Sequence, residues 1–311
     1  MKSLNNYVKK YIFESLLDDE DVLLTRTDRV LIERWIRDHY KVLGELIFEN
    51  DPKDPNIQLV SVKHGDVTLT TQSDYLTNGT FKWHRIDYDF SCTSRGLKSL
   101  EGAPDYVGGN FYCMANNITN LIGCPRIIAG SCYLNNNFHL ETLEGGPERV
   151  SGDFNCPSCP VLTSLVGGPV VVDGDFDCSN CNMLTSLKGS PEQVGAGFRC
   201  RSCSGLTSLV GAPRKIKDDF DCSGCCNKQF SLIGAPDQVK GAFNCSECAH
   251  LKSLSGCPQR VGCITCNYCD ELESLEGAPR YISEQISCMN CKNLTITSED
   301  RKRFKNKLCD I

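Results

Sequence analysis

Cysteine is missing from the first 91 residues, and all 22 cysteines stand at or after Cys92, so two differently built regions share the chain. Long apolar runs are missing too: nothing approaches the roughly 18 residues that a membrane span needs. Near the N-terminus the longest uninterrupted apolar stretch is Tyr11, Ile12, Phe13, far short of a secretory signal core. The expected location is therefore the cytoplasm, with the thiols mostly reduced. Basic residues are outnumbered, 33 against 39 acidic ones, for a net charge of -6, which argues against a nucleic-acid binder or a protein that coats anionic membrane. Catalytic signatures are sparse. The five histidines, His39, His64, His84, His139 and His250, recur in no motif. No glycine-rich phosphate loop precedes a helix, and no Ser or Cys has a recognisable base partner, so neither enzymatic activity nor a cofactor is expected.

What is present is a repeat. A segment Leu-x-Ser-Leu-x-Gly-x-Pro returns from Leu97 onward, its leading position falling at Leu97, Ile118, Leu140, Leu162, Leu184, Leu206, Gln229, Leu251, Leu272 and Leu294. The spacing is 21 to 23 residues, and a fixed period of this length is the mark of a stacked architecture. Three residues after each proline stands Val or Ile, as at Val150, Val172 and Val194; an alternating Phe-x-Cys follows, as at Phe154-Asn155-Cys156. Its period of two is that of a short strand with Phe and Cys facing inward. Proline in every unit forbids a long helix and favours extended backbone before it. Each unit reads as one coil: a strand, a turn and an extended return. A single coil cannot bury its apolar face, whereas stacked coils share a core and pair their strands into a parallel sheet.

The string Phe-x-Cys-x-x-Cys-x-x-Leu-x-x-Leu, seen from Phe176 to Leu187, resembles the signature of leucine-rich repeats. Asn116 and Asn137 occupy the slot that Cys159, Cys181, Cys203, Cys225, Cys248, Cys269 and Cys291 fill later, and in that family the slot is an asparagine ladder bonding the backbone of the turn. The resemblance covers about residues 89 to 297 and is closest to short bacterial repeats. It implies a mainly β solenoid, a leucine-rich repeat stack with one parallel sheet and an extended convex side, a small α+β N-terminal cap and a short C-terminal helix. It implies binding to other proteins more than any one chemistry.

Seven C-x-x-C pairs, beginning with Cys156/Cys159, match a zinc-site spacing on paper. Internal substitutions favour another reading. The first slot becomes Leu134 in one unit and the second becomes Arg95, Asn116 or Asn137 in others; a core position accepts leucine, a metal ligand does not. A buried thiol ladder is favoured, with zinc or an iron-sulfur cluster, and disulfides between coils, as the alternatives. Cys226 and Cys309 are the expected exposed thiols.

The ends divide the chain into four parts: residues 1-24, an amphipathic leader or flexible segment; 25-64, a helical and strand cap; 65-297, the solenoid; 298-311, a capping helix. A helix from Thr27 or Asp28 to about Leu43 is expected to carry Val30, Leu31, Arg34, Trp35 and Tyr40 near one face, and Val67-Thr68-Leu69 to open a degenerate first coil. The first residues resemble the capsid-targeting leaders of large tailed phages, and Ile12-Phe13-Glu14 matches the (Leu/Ile)-x-Glu site that their prohead proteases cut.

Strand positions flanking the inward Phe place Asp153, Asp175, Asp177, Asp219 and Asp221 around Arg199, with Tyr112 and Tyr133 beside them. These eight residues form the expected partner-binding face, an acidic band on the concave sheet of a monomer, suited to a basic segment of a protein partner. A structural or cargo virion protein packaged through a cleaved leader is the alternative, and a multi-CxxC zinc protein a further one.

Overall fold

The computed structural model describes residues 23–54 and 56–309. Contacts divide the chain into two compact units, one ending at His39 and one beginning at Tyr40. The first contains helix α1 (Leu23–His39), within which Arg37 pairs with Glu33 one turn back at 2.5 Å and the Trp35 and His39 rings stack at 4.0 Å. Among its described side chains the buried ones are Ile32 and Ile36, four apart, while Val30 and Leu31 are exposed. The helix ends earlier than expected, and Tyr40 opens a strand.

The second unit is a repeating parallel β-solenoid of about 11 turns. Strand β1 (Tyr40–Val42) pairs antiparallel with the first coil's strand, β4 (Val67–Leu69), and every later pairing in this thirteen-stranded main sheet is parallel. The Phe-x-Cys strands stand in register, Phe154 beside Phe176, Phe198, Phe220 and Phe243. Their rings form one fully buried column with centroid spacings of 5.3, 5.1, 5.4 and 5.5 Å, a near-parallel stacking each pair of which adds about 0.5–1.5 kcal/mol to area burial.

The extended return also pairs. Strands β2 (Glu45–Asn50), β3 (Gln58–Lys63) and β5 (Phe81–Ile86) begin a second sheet, and two-residue strands such as Arg149–Val150 and Val171–Val172 continue it in parallel. Its inward residues are the Val or Ile after each proline. This sheet breaks once: eight strands end at Gln193–Val194, and a separate four-stranded sheet starts at Lys215–Ile216.

Two turns make the coil close. After each Gly the chain approaches the previous coil; Gly189, at φ +90°, would place a Cβ 2.3 Å from the Val166 nitrogen, so both its backbone angle and the contact demand glycine. The other turn follows the Phe-x-Cys strand, where Ser94, Asn136, Ser158, Asn180 and Ser202 hold φ between 53° and 60°. At the far end α2 (Ser298–Phe304) is capped by Thr297 and Asp300 in a reciprocal box. The tail then turns to strand again, and Leu308–Cys309 adds the last strand to the main sheet beside Ile286–Ser287.

Candidate interaction face

The outer face of the main sheet carries two columns of side chains, one just before the inward Phe and one just after it. The column before it is a hydrogen-bond ladder. Asp66 Oδ1 accepts from the Asp89 amide at 3.0 Å, Asp89 from Asn110 at 2.6 Å, Asn110 from Ser131 at 2.8 Å and Ser131 Oγ from Asp153 at 2.9 Å. Asp153 then accepts from Asp175 at 2.9 Å and Asp175 from Gly197 at 2.7 Å. Glycine ends the run; Asp219 resumes it by accepting from Ala242 at 2.7 Å. A short side-chain acceptor thus ties most coils to the next, Gly197, Ala242 and Cys263 being without one. Its signal in the sequence is Asp, Asn or Ser directly before the inward residue in six consecutive units, a pattern that the reading by charge passed over.

The column after the Phe serves the turn. Asp177 accepts from the Ser179 amide at 2.8 Å and Asp221 from Ser223 at 2.9 Å, the Asx arrangement by which a short carboxylate holds a reversal. Arg199 bonds Asp175 at 2.7 Å and Arg201 approaches Asp221 at 3.5 Å. All five aspartates of the expected band therefore hold a backbone amide through one oxygen, and the second oxygen of Asp175 and of Asp221 faces an arginine. Asp153, Asp175, Asp177 and Asp221 are half-buried, and Asp219 is exposed.

Tyr112 and Tyr133 stand in the same outer column, half-buried, their rings parallel within 4° at 5.1 Å. The Tyr112 hydroxyl accepts from the Asn110 amide group at 3.1 Å. Burial, then the nearby Asp89 carboxylate, pushes its phenol above the ordinary value. Ile12, Phe13 and Glu14 lie outside the described residues.

Behind this face the thiols form two inner rows. Second-slot sulfurs donate to the carbonyl of the first-slot residue one coil back: Cys181 to Cys156, Cys203 to Cys178, Cys225 to Cys200 and Cys248 to Cys222, at 3.2 to 3.5 Å. Asn116 and Asn137 donate to the equivalent Cys92 and Cys113 carbonyls at 3.0 and 2.8 Å. The same slot thus makes the same bond with either residue, the amide adding acceptor bonds that sulfur makes only weakly. Burial pushes Cys159 up to about 12 and Cys156 well above the ordinary thiol value, so these groups stay protonated donors. All 22 cysteines are free. Cys226 is exposed as expected and Cys309 half-buried, while Cys124, Cys263 and Cys291 are partly exposed as well. Cys291 departs from Cys156 and Cys159, held down to about 7 chiefly by a hydrogen bond from Cys269. Among the described residues no three His, Cys, Asp or Glu side chains converge as a metal ion requires, and no helix is long and apolar enough to cross a membrane.

No family model, curated protein or solved structure matches the chain.

Proposed function

We propose that the chain is a non-enzymatic recognition scaffold, a leucine-rich-repeat-like monomer that holds a basic segment of a partner protein on the outer face of the main sheet. The observation that carries this reading is the stacked Tyr112–Tyr133 pair beside the acidic ladder. Two aromatic faces next to carboxylates suit a guanidinium or ammonium group, which gains cation–π attraction from the ring and Coulomb attraction from the acid. The aspartates contribute as a field more than as free ligands, because each already holds an amide. Reduced thiols in a cytoplasmic compartment agree with the donor role of the second slot; stoichiometric zinc or iron in purified protein, lost together with the fold on chelation, would return the CxxC pairs to a metal role.

The test uses a fluorescein-labelled Gly-Arg repeat peptide as probe. Saturable binding is expected, weakening with salt as the screening length falls from about 10 Å at 0.1 M to about 3 Å at 1 M. Tyr112→Ala with Tyr133→Ala should lower affinity about tenfold, at a stability cost of about 1–2 kcal/mol from the lost stacking, with the circular dichroism spectrum of the folded chain kept. Unchanged affinity in that double variant sinks the reading. The second reading, a phage virion cargo, is carried by Ile12-Phe13-Glu14. It requires protein recovered from particles to begin at Ser15, and an intact Met1 there removes it.

A further inference from the structure

The row of second-slot thiols is covered along its length and open at one end. Cys159, Cys181, Cys203, Cys225, Cys248 and Cys269 are all buried, each with a further coil stacked beyond it. Cys291 closes the row. After it the chain leaves the solenoid for α2, and the tail strand Leu308–Cys309 pairs with Ile286–Ser287. Cys291 is accordingly half-buried, and Asn290 and Lys292 on either side of it are exposed.

The two coils at this end stand in register, the Cys266 amide donating to the Ser287 carbonyl at 2.9 Å and the Tyr268 amide to Met289 at 2.8 Å. Residues paired in this way lie roughly 4.8 Å apart, inside the roughly 4.4–6.8 Å between Cα atoms that a disulfide accepts. Four thiols gather here. Cys266 Sγ lies 3.1 Å from Cys288 Sγ, both buried, and the Cys269 and Cys291 thiols meet in the turn that follows. The hydrogen bond from the Cys269 thiol, joined by one from its backbone amide, holds Cys291 down to about 7 against burial and the Asp270 charge. Near neutral pH a large share of Cys291 is therefore thiolate, the nucleophilic form.

We propose that Cys291 is an oxidation site for peroxide and that Cys269 resolves it into a reversible disulfide between the last two coils. The Cys291 thiolate attacks one oxygen of hydrogen peroxide; the O–O bond breaks, hydroxide leaves and takes a proton from solvent, and the sulfur becomes a sulfenic acid. Cys269 attacks that sulfur in turn. The S–S bond forms, the S–O bond breaks, and the Cys269 proton departs with the hydroxyl as a second water. Two electrons pass from the two thiols to the peroxide, and a dithiol reductant returns them. The link joins positions 22 residues apart and fastens the coil that carries α2 to its neighbour.

The test treats the folded full chain with a few equivalents of hydrogen peroxide, alkylates the remaining thiols after unfolding and maps cross-links by tandem mass spectrometry. The free thiols should fall by two from 22, with a Cys269–Cys291 link that dithiothreitol removes. Cys291→Ser keeps a donor for the Cys266 carbonyl, which Cys291 bonds at 3.0 Å, so the fold should hold while the link falls at least about tenfold. Cys269→Ser should instead leave a sulfenic acid on Cys291 that dimedone labels. Cys226→Ser, which removes an exposed thiol elsewhere in the solenoid, should leave the link unchanged. Twenty-two free thiols after treatment overturn the proposal, as does oxidation confined to Cys226 or a disulfide without Cys291, such as Cys266–Cys288. A lasting sulfenic acid on Cys291 in the parent chain overturns it too, because Cys269 would then resolve nothing.

Discussion

The two sheets of the solenoid are made by the same coils, yet one runs through thirteen strands without interruption and the other parts after Val194. The difference lies in how many independent ties each junction carries. On the main-sheet side a coil meets the next through a stacked ring, a side-chain acceptor, a second-slot thiol or amide, and the backbone. On the second-sheet side it has one buried Val or Ile, two-residue pairing and outer ion pairs. Gly197 removes the acceptor at the very junction where the second sheet opens, and the main sheet holds there because Phe198 still stacks on Phe220 and Cys225 still donates to Cys200. A missing acceptor is not sufficient by itself. Ala242 lacks one and its junction keeps a single second-sheet pair, Gln238 with Arg260, while Cys263 lacks one and keeps two. At the open junction Arg214, Lys215, Lys217 and Lys240 line a surface groove together with Asp173 and Glu192.

The largest expected effect tests the inequality of the sheets directly. Phe176→Ala empties the ring column and should cost about 3–5 kcal/mol. Val172→Ala, fully buried one strand away in the second sheet, should cost about 1–2 kcal/mol. Urea unfolding of both variants decides it, and equal losses would break the comparison. Next comes the slot behind the main sheet. Asn137 donates to the Cys113 and Leu134 carbonyls at 2.8 and 2.7 Å and accepts from the Asn116 amide at 2.9 Å, so Asn137→Ala strands three backbone groups and should cost about 2–3 kcal/mol. Cys203→Ala loses one weak thiol bond and a small apolar volume, about 1 kcal/mol. A cost for the cysteine as large as for the asparagine would mean that the thiols carry more than a carbonyl contact.

Smaller again is the ladder on the outer face, where acceptor and charge separate cleanly. Asp153→Asn keeps the oxygen that holds the Asp175 amide and should leave the melting temperature unchanged. Asp153→Ala removes it and should cost about 0.5–1.5 kcal/mol. If both variants lose stability equally, the charge matters and the ladder does not.

Much of this is legible in the sequence. The 22-residue period, the proline and the Phe-x-Cys alternation determine a stacked coil, because no other structure buries one Phe, two thiols and two leucines from so short a unit. The ladder was hidden because Asp153 and Asp175 read first as charges, and a charge count does not reveal that one oxygen faces the next coil's amide. The second sheet was half visible: Val150 and Val172 announced an inward position, but a two-residue strand has too few positions to show its pairing. The helix face differs from the expected one because adjacent Val30 and Leu31 cannot share a narrow stripe, and the i, i+4 pair Ile32 and Ile36 forms it. The break at Val194 had only a faint mark, glycine at 197 in a column otherwise holding short acceptors from Asp66 to Asp175.

That mark gives the smallest and sharpest test, Gly197→Asn. Gly197 is outside the left-handed region, and an added Cβ would meet the Asp219 carbonyl at 3.0 Å and Asp175 Oδ1 at 3.1 Å, so the site accepts a side chain if its neighbours yield by a few tenths of an ångström. Asparagine supplies an oxygen for the Asp219 amide without adding a charge among Asp175, Asp177 and Asp219. The new bond and the stiffer unfolded chain favour the variant, and the tight contact opposes it; a gain between zero and about 1 kcal/mol is expected. Hydrogen exchange reads more than the stability does. In the parent chain the Arg214 and Lys217 amides should exchange faster than Glu192 and Gly195, their bonded equivalents one coil back. If the missing acceptor lets the second sheet open, both amides should slow in Gly197→Asn along with Asp219. Protection of Asp219 alone would separate the two sheets at this junction, and would mean that the missing acceptor does not cause the break in the second sheet.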